Sequence, residues 1–367
     1  MKKISIVLPN LCGGGAERLA IYLARDWAKR GYVVEFVLMQ KKGELLSLLG
    51  SDISVVNLEV NRIRNVIVPL SKYLKHSQPN VILVGMWPLT SVAVIAWHLA
   101  YRKGGLYLID HSHLSVSRCL MNLSKFYLNT SIRLTYRFAT GVMAVSKSVK
   151  DDLCEIANIA SSRIKVIYNP ATTGISANRS SNEERIHLWG RGYDYHILSV
   201  GSLKAEKNHK CLIRAFAKLP SRLNAKLTIV GEGDLRDEIE KLVINLGLQD
   251  RISLPGFFHD VYPWYRSADL FVLSSDLEGL PTVLIEALEC GVPVVSTRCH
   301  GGPEEILEDG RYGKLVLDGD EDGLANAMTI SLSEKHDRKV LINRAQDFSI
   351  ERISEQYLDY FGLPHYL

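Results

Sequence analysis

The sequence predicts an α/β protein made of two parallel-sheet domains facing a central cleft. Three observations carry that reading. At 367 residues the chain exceeds the roughly 100–200 residues of one domain, so two cores are expected. Short β-rich runs alternate with helical patterns, which is the signature of parallel strands linked by crossover helices. The same rhythm then restarts after a polar stretch without periodicity.

In chain order the first half offers the strand ISIVL (4–8), a helix from Ala16 to Arg30, then VVEFVLM (33–39), VILVG (81–85), LYLID (106–110) and VMAVS (142–146). The second half offers HILSVG (196–201), KLTIVG (226–231), DLFVLSS (269–275), VPVVST (292–297) and KLVLDG (314–319). Between them NPATTGISANRSSNEERIHLWGRGYD (169–194) is rich in Asn, Ser, Gly and charge, as linkers are. The expected division is residues 1–172, a linker 173–194, and residues 195–347. The tail 348–367 carries Ile350, Ile353, Tyr357, Leu358 and Phe361 at helical spacing and is expected to pack back on the first domain.

Composition narrows the function. With 47% hydrophobic and 23% charged residues the chain is an ordinary globular one. The longest apolar run, Trp87 to Ala100, is interrupted by Thr90, Ser91 and His98 and falls short of the roughly 20 residues that cross a bilayer. The apolar core before Pro9 is too short for a signal peptide, so a cytoplasmic protein is expected. Its six cysteines form no C-x-x-C pair, which fits reduced thiols and argues against a zinc site. LDGDEDG (317–323) fails as a calcium loop, because Thr329 stands where the twelfth-position glutamate belongs. No metal is assigned.

The net charge of +4 conceals an imbalance. Residues 1–175 hold 22 Lys and Arg against 10 Asp and Glu, and the remainder holds 22 against 30. A basic first half facing an anionic ligand or membrane surface and a merely solvated basic surface are both consistent with this. The bases are not interleaved on a nucleic-acid recognition motif, and no nucleic-acid partner is expected.

Ligands of open parallel sheets bind at the C-terminal strand edges, so the loops there were read for chemistry. PNLCGGGAERL (9–19) places Gly13, Gly14 and Gly15 between strand and helix, where free N–H groups favour an anion. Arg18 replaces the last glycine of a dinucleotide fingerprint, which disfavours a dehydrogenase; a plain tight turn is the alternative. SVGSLKAEKNHKCL (199–212) sets Lys204 and Lys207 near a second such loop, either to meet a diphosphate or as solvated charge. LEGLPTVLIEAL (277–288) holds Glu278 in a loop and Glu286 among apolar helical neighbours, where a glutamate needs a partner. Both carboxylates suit sugar hydroxyls rather than phosphate oxygens.

With GGGAERLAIYLA, VGSLKAEKNHKCLIRAF, LTIVGEGDLRDEIEKL, SLPGFFHDVYPWYRSADLFVLSS and CHGGPEEIL, the stretch LEGLPTVLIEALECGVPVV resembles the E-x7-E motif set of the retaining glycosyltransferases of the GT-B fold, family 4. The resemblance covers most of the second domain and the first loop of the other. It implies two Rossmann-like domains and transfer of a hexose or N-acetylhexosamine from a nucleotide sugar, of which a UDP-sugar is expected, without an obligatory metal or other cofactor. It implies that Glu286 binds ribose hydroxyls, that Glu278 contacts the donor sugar near the reacting carbon, and that Lys207 meets phosphate. Amides of Gly14, Gly15, Gly279, Leu280 and Thr282 would cradle the diphosphate, with the base against Gly256 and Phe257. Ser202 occupies the place of the family's arginine, removing one cation from that site.

A histidine of the family follows the strand that ends at Asp110, which implies His111, ahead of His113, as the catalytic partner of Glu278; a structural role is the other reading. The acceptor implied is a polyprenyl-diphosphate-linked saccharide of bacterial polysaccharide or O-antigen assembly. The segment from Arg118 to Arg137 mixes basic, aliphatic and aromatic residues and suits an anionic inner leaflet, or else core packing with solvated charge. A GT-B-like sugar-nucleotide 2-epimerase and a catalytically inactive nucleotide-sugar binder remain as alternatives. Turnover with an acceptor discriminates them from a transferase.

Overall fold

The computed structural model describes residues 1–12, 15–116, 125–172, 180–299 and 301–364. The chain divides into two compact units, Met1–Pro170 with Ile350–Leu367, and Ala171–Ser349. Each is built on its own parallel sheet.

In unit 1 the strands are β1 (Lys3–Leu8), β2 (Val33–Leu38), β3 (Ser54–Asn57), β4 (Val81–Gly85), β5 (Gly105–Asp110), β6 (Gly141–Ala144) and β7 (Ile164–Val166). Its helices are α1 (Gly15–Lys29), α2 (Ile67–Ser77), α3 (Leu89–Leu99), α4 (Lys125–Thr135) and α5 (Lys147–Ala157). The sheet order is β3-β2-β1-β4-β5-β6-β7. Central strands such as VILVG are buried along their whole length because helices cover both faces, so the run is continuously apolar rather than alternating.

Unit 2 continues with α6 (Asn182–Trp189), β8 (Tyr195–Val200), α7 (His209–Ala217), β9 (Ala225–Val230), α8 (Arg236–Asn245), β10 (Ile252–Gly256), α9 (Tyr262–Ser267) and β11 (Leu270–Leu273). Then come α10 (Thr282–Glu289), β12 (Val294–Thr297), α11 (Pro303–Leu307), β13 (Lys314–Val316), α12 (Glu321–Ser333) and α13 (Arg338–Gln346). The order β10-β9-β8-β11-β12-β13 reverses direction between β8 and β11, as unit 1 reverses between β1 and β4. A crevice opens at such a reversal, because the crossover helices leave to opposite faces.

Two details depart from the expectations. The stretch read as linker contains α6, started by a capping box in which Ser181 and Glu184 satisfy each other's backbone donors. Trp189 at its end is fully buried and donates to Ser267 Oγ at 2.8 Å, so this helix belongs to the unit 2 core. Three strands that periodicity did not reveal, β3, β7 and β10, all lie at sheet edges, and β10 accommodates Pro255 there because an edge strand can forgo a ladder donor.

The last helix, α14 (Ile350–Phe361), returns to unit 1. Its buried Ile353, Tyr357, Leu358 and Phe361 lie on one face, and Tyr357 and Phe361 meet Trp27 edge-on at 6.0 and 5.9 Å. Among the described residues no helix is long and apolar enough to cross a membrane.

Candidate functional site

The site of unit 2 forms at the β8/β11 reversal. Ser202 and Lys207 follow β8, while Glu278 follows β11, and the reversed order brings them together across 71 residues of chain. Lys207 Nζ donates to Glu278 Oε1 at 2.6 Å, and Ser275 Oγ donates to the same oxygen at 2.6 Å. Among the described residues the second carboxylate oxygen and two of the three ammonium hydrogens are thereby left for a ligand. Ser274 Oγ holds the Lys207 carbonyl at 2.9 Å, so the loop carrying the lysine is tied to the strand carrying the glutamate.

Glu286 lies at the fifth residue of α10. Tyr265, fully buried in α9, donates to its Oε2 at 2.9 Å. Burial first, and then the Glu286 charge, push the Tyr265 phenol well above its usual range, so it stays protonated and orients the carboxylate. The partner that an otherwise apolar helix demands of this glutamate is therefore a tyrosine 21 residues upstream.

Glycines let the neighbouring loops converge. Gly231, with φ +148°, is so close to the Gly201 carbonyl that a Cβ would lie 2.0 Å from it, and its N–H donates to the Gly256 carbonyl at 2.9 Å. This stacks the ends of β8, β9 and β10, with Phe257 58% exposed beyond Gly256. Gly301 has φ +137°, and a Cβ there would sit 1.9 Å from the Glu278 carbonyl oxygen; Gly302 N–H donates to the Gly279 carbonyl at 3.2 Å. Leu280 is buried against Gly302, and Thr282 opens α10 with Pro281 as its N-cap.

Unit 1 supplies its own cluster at the ends of β1, β4 and β5. Gly15 begins α1, and a Cβ there would meet nothing within 4 Å. Gly14 lies outside the described residues. His111, hydrogen-bonded with Asn169, is held neutral by burial, which lowers its pKa to about 4. Its Nε2 would lie 3.8 Å from a Cβ on Gly85, at the end of β4. Asp110 is 1% exposed; it accepts from Tyr136 OH at 2.8 Å, and Tyr136 OH in turn meets Thr90 Oγ1 at 2.8 Å. Burial raises the Asp110 carboxyl to about 7. Of the residues expected from sequence, Lys207, Glu278, Gly279 and Leu280 gather around one loop pair, and Glu286 joins them on α10. Ser275, Tyr265 and Gly301 were missed, although the quoted stretches SLPGFFHDVYPWYRSADLFVLSS, for the first two, and CHGGPEEIL, for the last, contain them.

Two family models match the chain. The model described as glycosyl transferases group 1 spans residues 185–348, and that of glycosyltransferase family 4 spans 13–174. A Campylobacter jejuni GalNAc-alpha-(1->4)-GalNAc-alpha-(1->3)-diNAcBac-PP-undecaprenol alpha-1,4-N-acetyl-D-galactosaminyltransferase is 29% identical over 98% of both chains. The Rhizobium meliloti lipopolysaccharide core biosynthesis glycosyltransferase LpsE is 35% identical over 44% of this chain and 48% of its own length. Among solved structures, Anabaena Alr3699/HepE in complex with UDP and glucose superposes with a TM-score of 0.81 at 23% identity, covering 99% of this chain and all of that one. A glycosyltransferase from Rickettsia africae does so with a TM-score of 0.82 at 20% identity, covering 98% and 97%. Two parallel-sheet units, the two family models and these neighbours make the chain a member of the family 4, group 1 glycosyltransferases of the GT-B fold.

Proposed function

We propose that this glycosyltransferase moves a hexose or N-acetylhexosamine from a UDP-sugar, with retention of anomeric configuration, to a polyprenyl-diphosphate-linked saccharide. The observation that carries the reading is the Lys207–Glu278 pair at the sheet reversal, with Glu286 oriented by Tyr265 beside it. The Campylobacter relative's undecaprenol-linked substrate supports the acceptor class, and the Anabaena neighbour's UDP supports the base.

On this reading the donor diphosphate takes up the free hydrogens of Lys207 and the amides of Gly279, Leu280 and Thr282. Its leaving group gains negative charge as the glycosidic bond breaks, and preoriented donors stabilise that charge most where water is excluded. Glu278 keeps one oxygen on Lys207 and Ser275 and offers the other to hydroxyls of the sugar. Glu286 receives the ribose hydroxyls. Retention requires the acceptor hydroxyl to attack on the face that the diphosphate leaves, through an oxocarbenium-like transition state. His111, neutral at working pH, suits a hydrogen bond to a sugar hydroxyl rather than a charge beside the forming cation. Residues 125–137 at an anionic membrane surface would bring the enzyme to such acceptors; residues 118–124 of the expected membrane segment lie outside the described ones.

The test is a thermal-shift panel of UDP, GDP, ADP and CMP with their sugars, followed by product analysis with the donor that binds. A ligand stabilises the native state in proportion to the logarithm of its concentration over its Kd. UDP should raise the midpoint of the wild type and not that of Glu286→Ala, and the product should keep the donor's anomeric configuration. An inverted product overturns retention; the absence of any nucleotide response overturns the donor reading.

A further inference from the structure

Between Val60 and Lys150 the chain carries twelve Lys and Arg and one carboxylate, Asp110, which is buried. This stretch of chain is strongly basic, although α5, which packs on α4, adds Asp151, Asp152 and Glu155. Within the basic stretch α3 and α4 leave a cavity of ≈ 590 Å³ lined by Trp87, Val92, Ile95, Tyr127, Leu134 and Phe138, among others. Ile95 is 44% exposed, Leu134 52% and Phe138 43%, so its walls meet water. Apolar walls of this extent that meet water mark a binding site.

The chemistry of the walls selects a hydrocarbon. Polar groups in the lining bond within the protein: Trp87 Nε1 to Ser131 Oγ at 3.1 Å, Thr135 Oγ1 to the Ser131 carbonyl at 2.6 Å, and His98 Nδ1 with the Val94 carbonyl at 2.9 Å. One cation stands against the apolar wall and others lie on the same helices or just beyond them. The Arg137 guanidinium stands 4.6 Å from the Phe138 ring centre, Arg133 lies on α4 beside Leu134, and Arg102 and Lys103 follow α3. A ligand with an apolar chain and an anionic head matches both features at once.

Position ties the cavity to the catalytic end of unit 1. Trp87 comes two residues after Gly85, at the strand end that faces His111 Nε2, 3.8 Å from where a Gly85 Cβ would stand. Tyr136, between the lining residues Thr135 and Phe138, bonds to Asp110, the neighbour of His111. A bilayer lipid would need only an exposed patch. A recess walled by Trp87, two residues beyond the strand end that faces the candidate catalytic histidine, fits a chain tethered to the acceptor itself.

We propose that the α3/α4 cavity binds the polyisoprenoid chain of the acceptor, with Arg133 and Arg137 meeting its diphosphate; this rests on the lipid-linked acceptor reading above. Calorimetric titration with geranylgeranyl diphosphate, inorganic diphosphate and phosphatidylglycerol vesicles tests it on the wild type, Ile95→Asp and Leu134→Asp. Both substitutions are at exposed positions, and an unchanged thermal midpoint verifies the fold. The expected result is at least tenfold tighter binding of geranylgeranyl diphosphate than of inorganic diphosphate by the wild type, and loss of that advantage in both variants. Equal binding of the two diphosphates, or full binding of geranylgeranyl diphosphate by the variants, overturns the proposal. So does loss of vesicle binding alone, which makes the face a bilayer contact.

A diazirine analogue of geranylgeranyl diphosphate gives an answer on the unmodified protein. It should label peptides from 87–99 and 125–138, and labelling elsewhere overturns the assignment. Neither measurement requires turnover, so the two readings fail separately. A protein that binds the lipid in the cavity but transfers no sugar defeats the transferase reading, whereas one that transfers equally to lipid-linked and lipid-free acceptors without labelling defeats the cavity alone.

Discussion

The Tyr265–Glu286 hydrogen bond fixes one carboxylate in a half-buried position where a free rotamer would cost affinity. A hydrogen bond to a charged group contributes about 1.5–3 kcal/mol. Tyr265→Phe should therefore lower the thermal midpoint and also weaken UDP-sugar binding, both measured by calorimetry; unchanged affinity would show that Glu286 needs no orientation by Tyr265. Asp110 predicts a pH dependence. Its folded pKa of about 7 lies above the usual carboxylate value, so its contribution to stability is complete at low pH and is lost as pH rises through 7. Asp110→Asn should accordingly raise the midpoint at pH 8, with the gain fading by pH 5. His111 and His209 run the other way, both lowered to about 4 by burial, and lose stability as pH falls from about 6.5 toward 4. Comparing the variant with the wild type at each pH removes their share, and a pH-independent gain would reject the assignment to Asp110.

At the level of elements, the loops after β11 and β12 interlock through glycine. Gly301→Ala forces a side chain onto the Glu278 carbonyl and into a left-handed backbone conformation, for which about 1–3 kcal/mol is the usual strain. The expected outcome is loss of nucleotide-sugar response together with a lowered midpoint, whereas Gly310→Ala, also at positive φ but with open space, should lower the midpoint and spare the response. A Gly301→Ala protein with wild-type nucleotide response would remove this loop from the site. The central strands were legible because they are apolar along their length. Of the edge strands, β3, β7 and β10 were not, since they are only partly buried, with exposed residues that weaken the pattern, whereas β13 has none exposed and was. Helix α6 was hidden for a related reason, as its eight residues hold three charges in the first turns and bury chiefly Trp189.

For the molecule as a whole, the chain crosses from unit 1 to unit 2 and returns as α14. That helix covers Trp27, and Tyr360 and Phe361 pack on the Tyr107 ring at 5.6 and 4.6 Å. Burying Ile353, Leu358 and Phe361 is worth about 1.5–3 kcal/mol each, a large part of a domain's margin. Ending the chain after Ser349 should make unit 1 sensitive to limited proteolysis. A truncated protein that resists protease as the full chain does would show that unit 1 stands without its returning helix.

The sequence by itself determined the alternation of strands and helices, the restart that marks a second unit, and the motifs around Lys207, Glu278 and Glu286. Each is written in local spacing, where burial on a helix or strand imposes its own period. Only the tertiary structure decided that Lys207 bonds to Glu278, that Tyr265 orients Glu286, that Gly301 admits the Glu278 loop, and that α3 and α4 leave an apolar recess. Those contacts join residues from different loops and helices, and which loops become neighbours follows from the order of strands in the sheet, a property that no periodicity along the chain records.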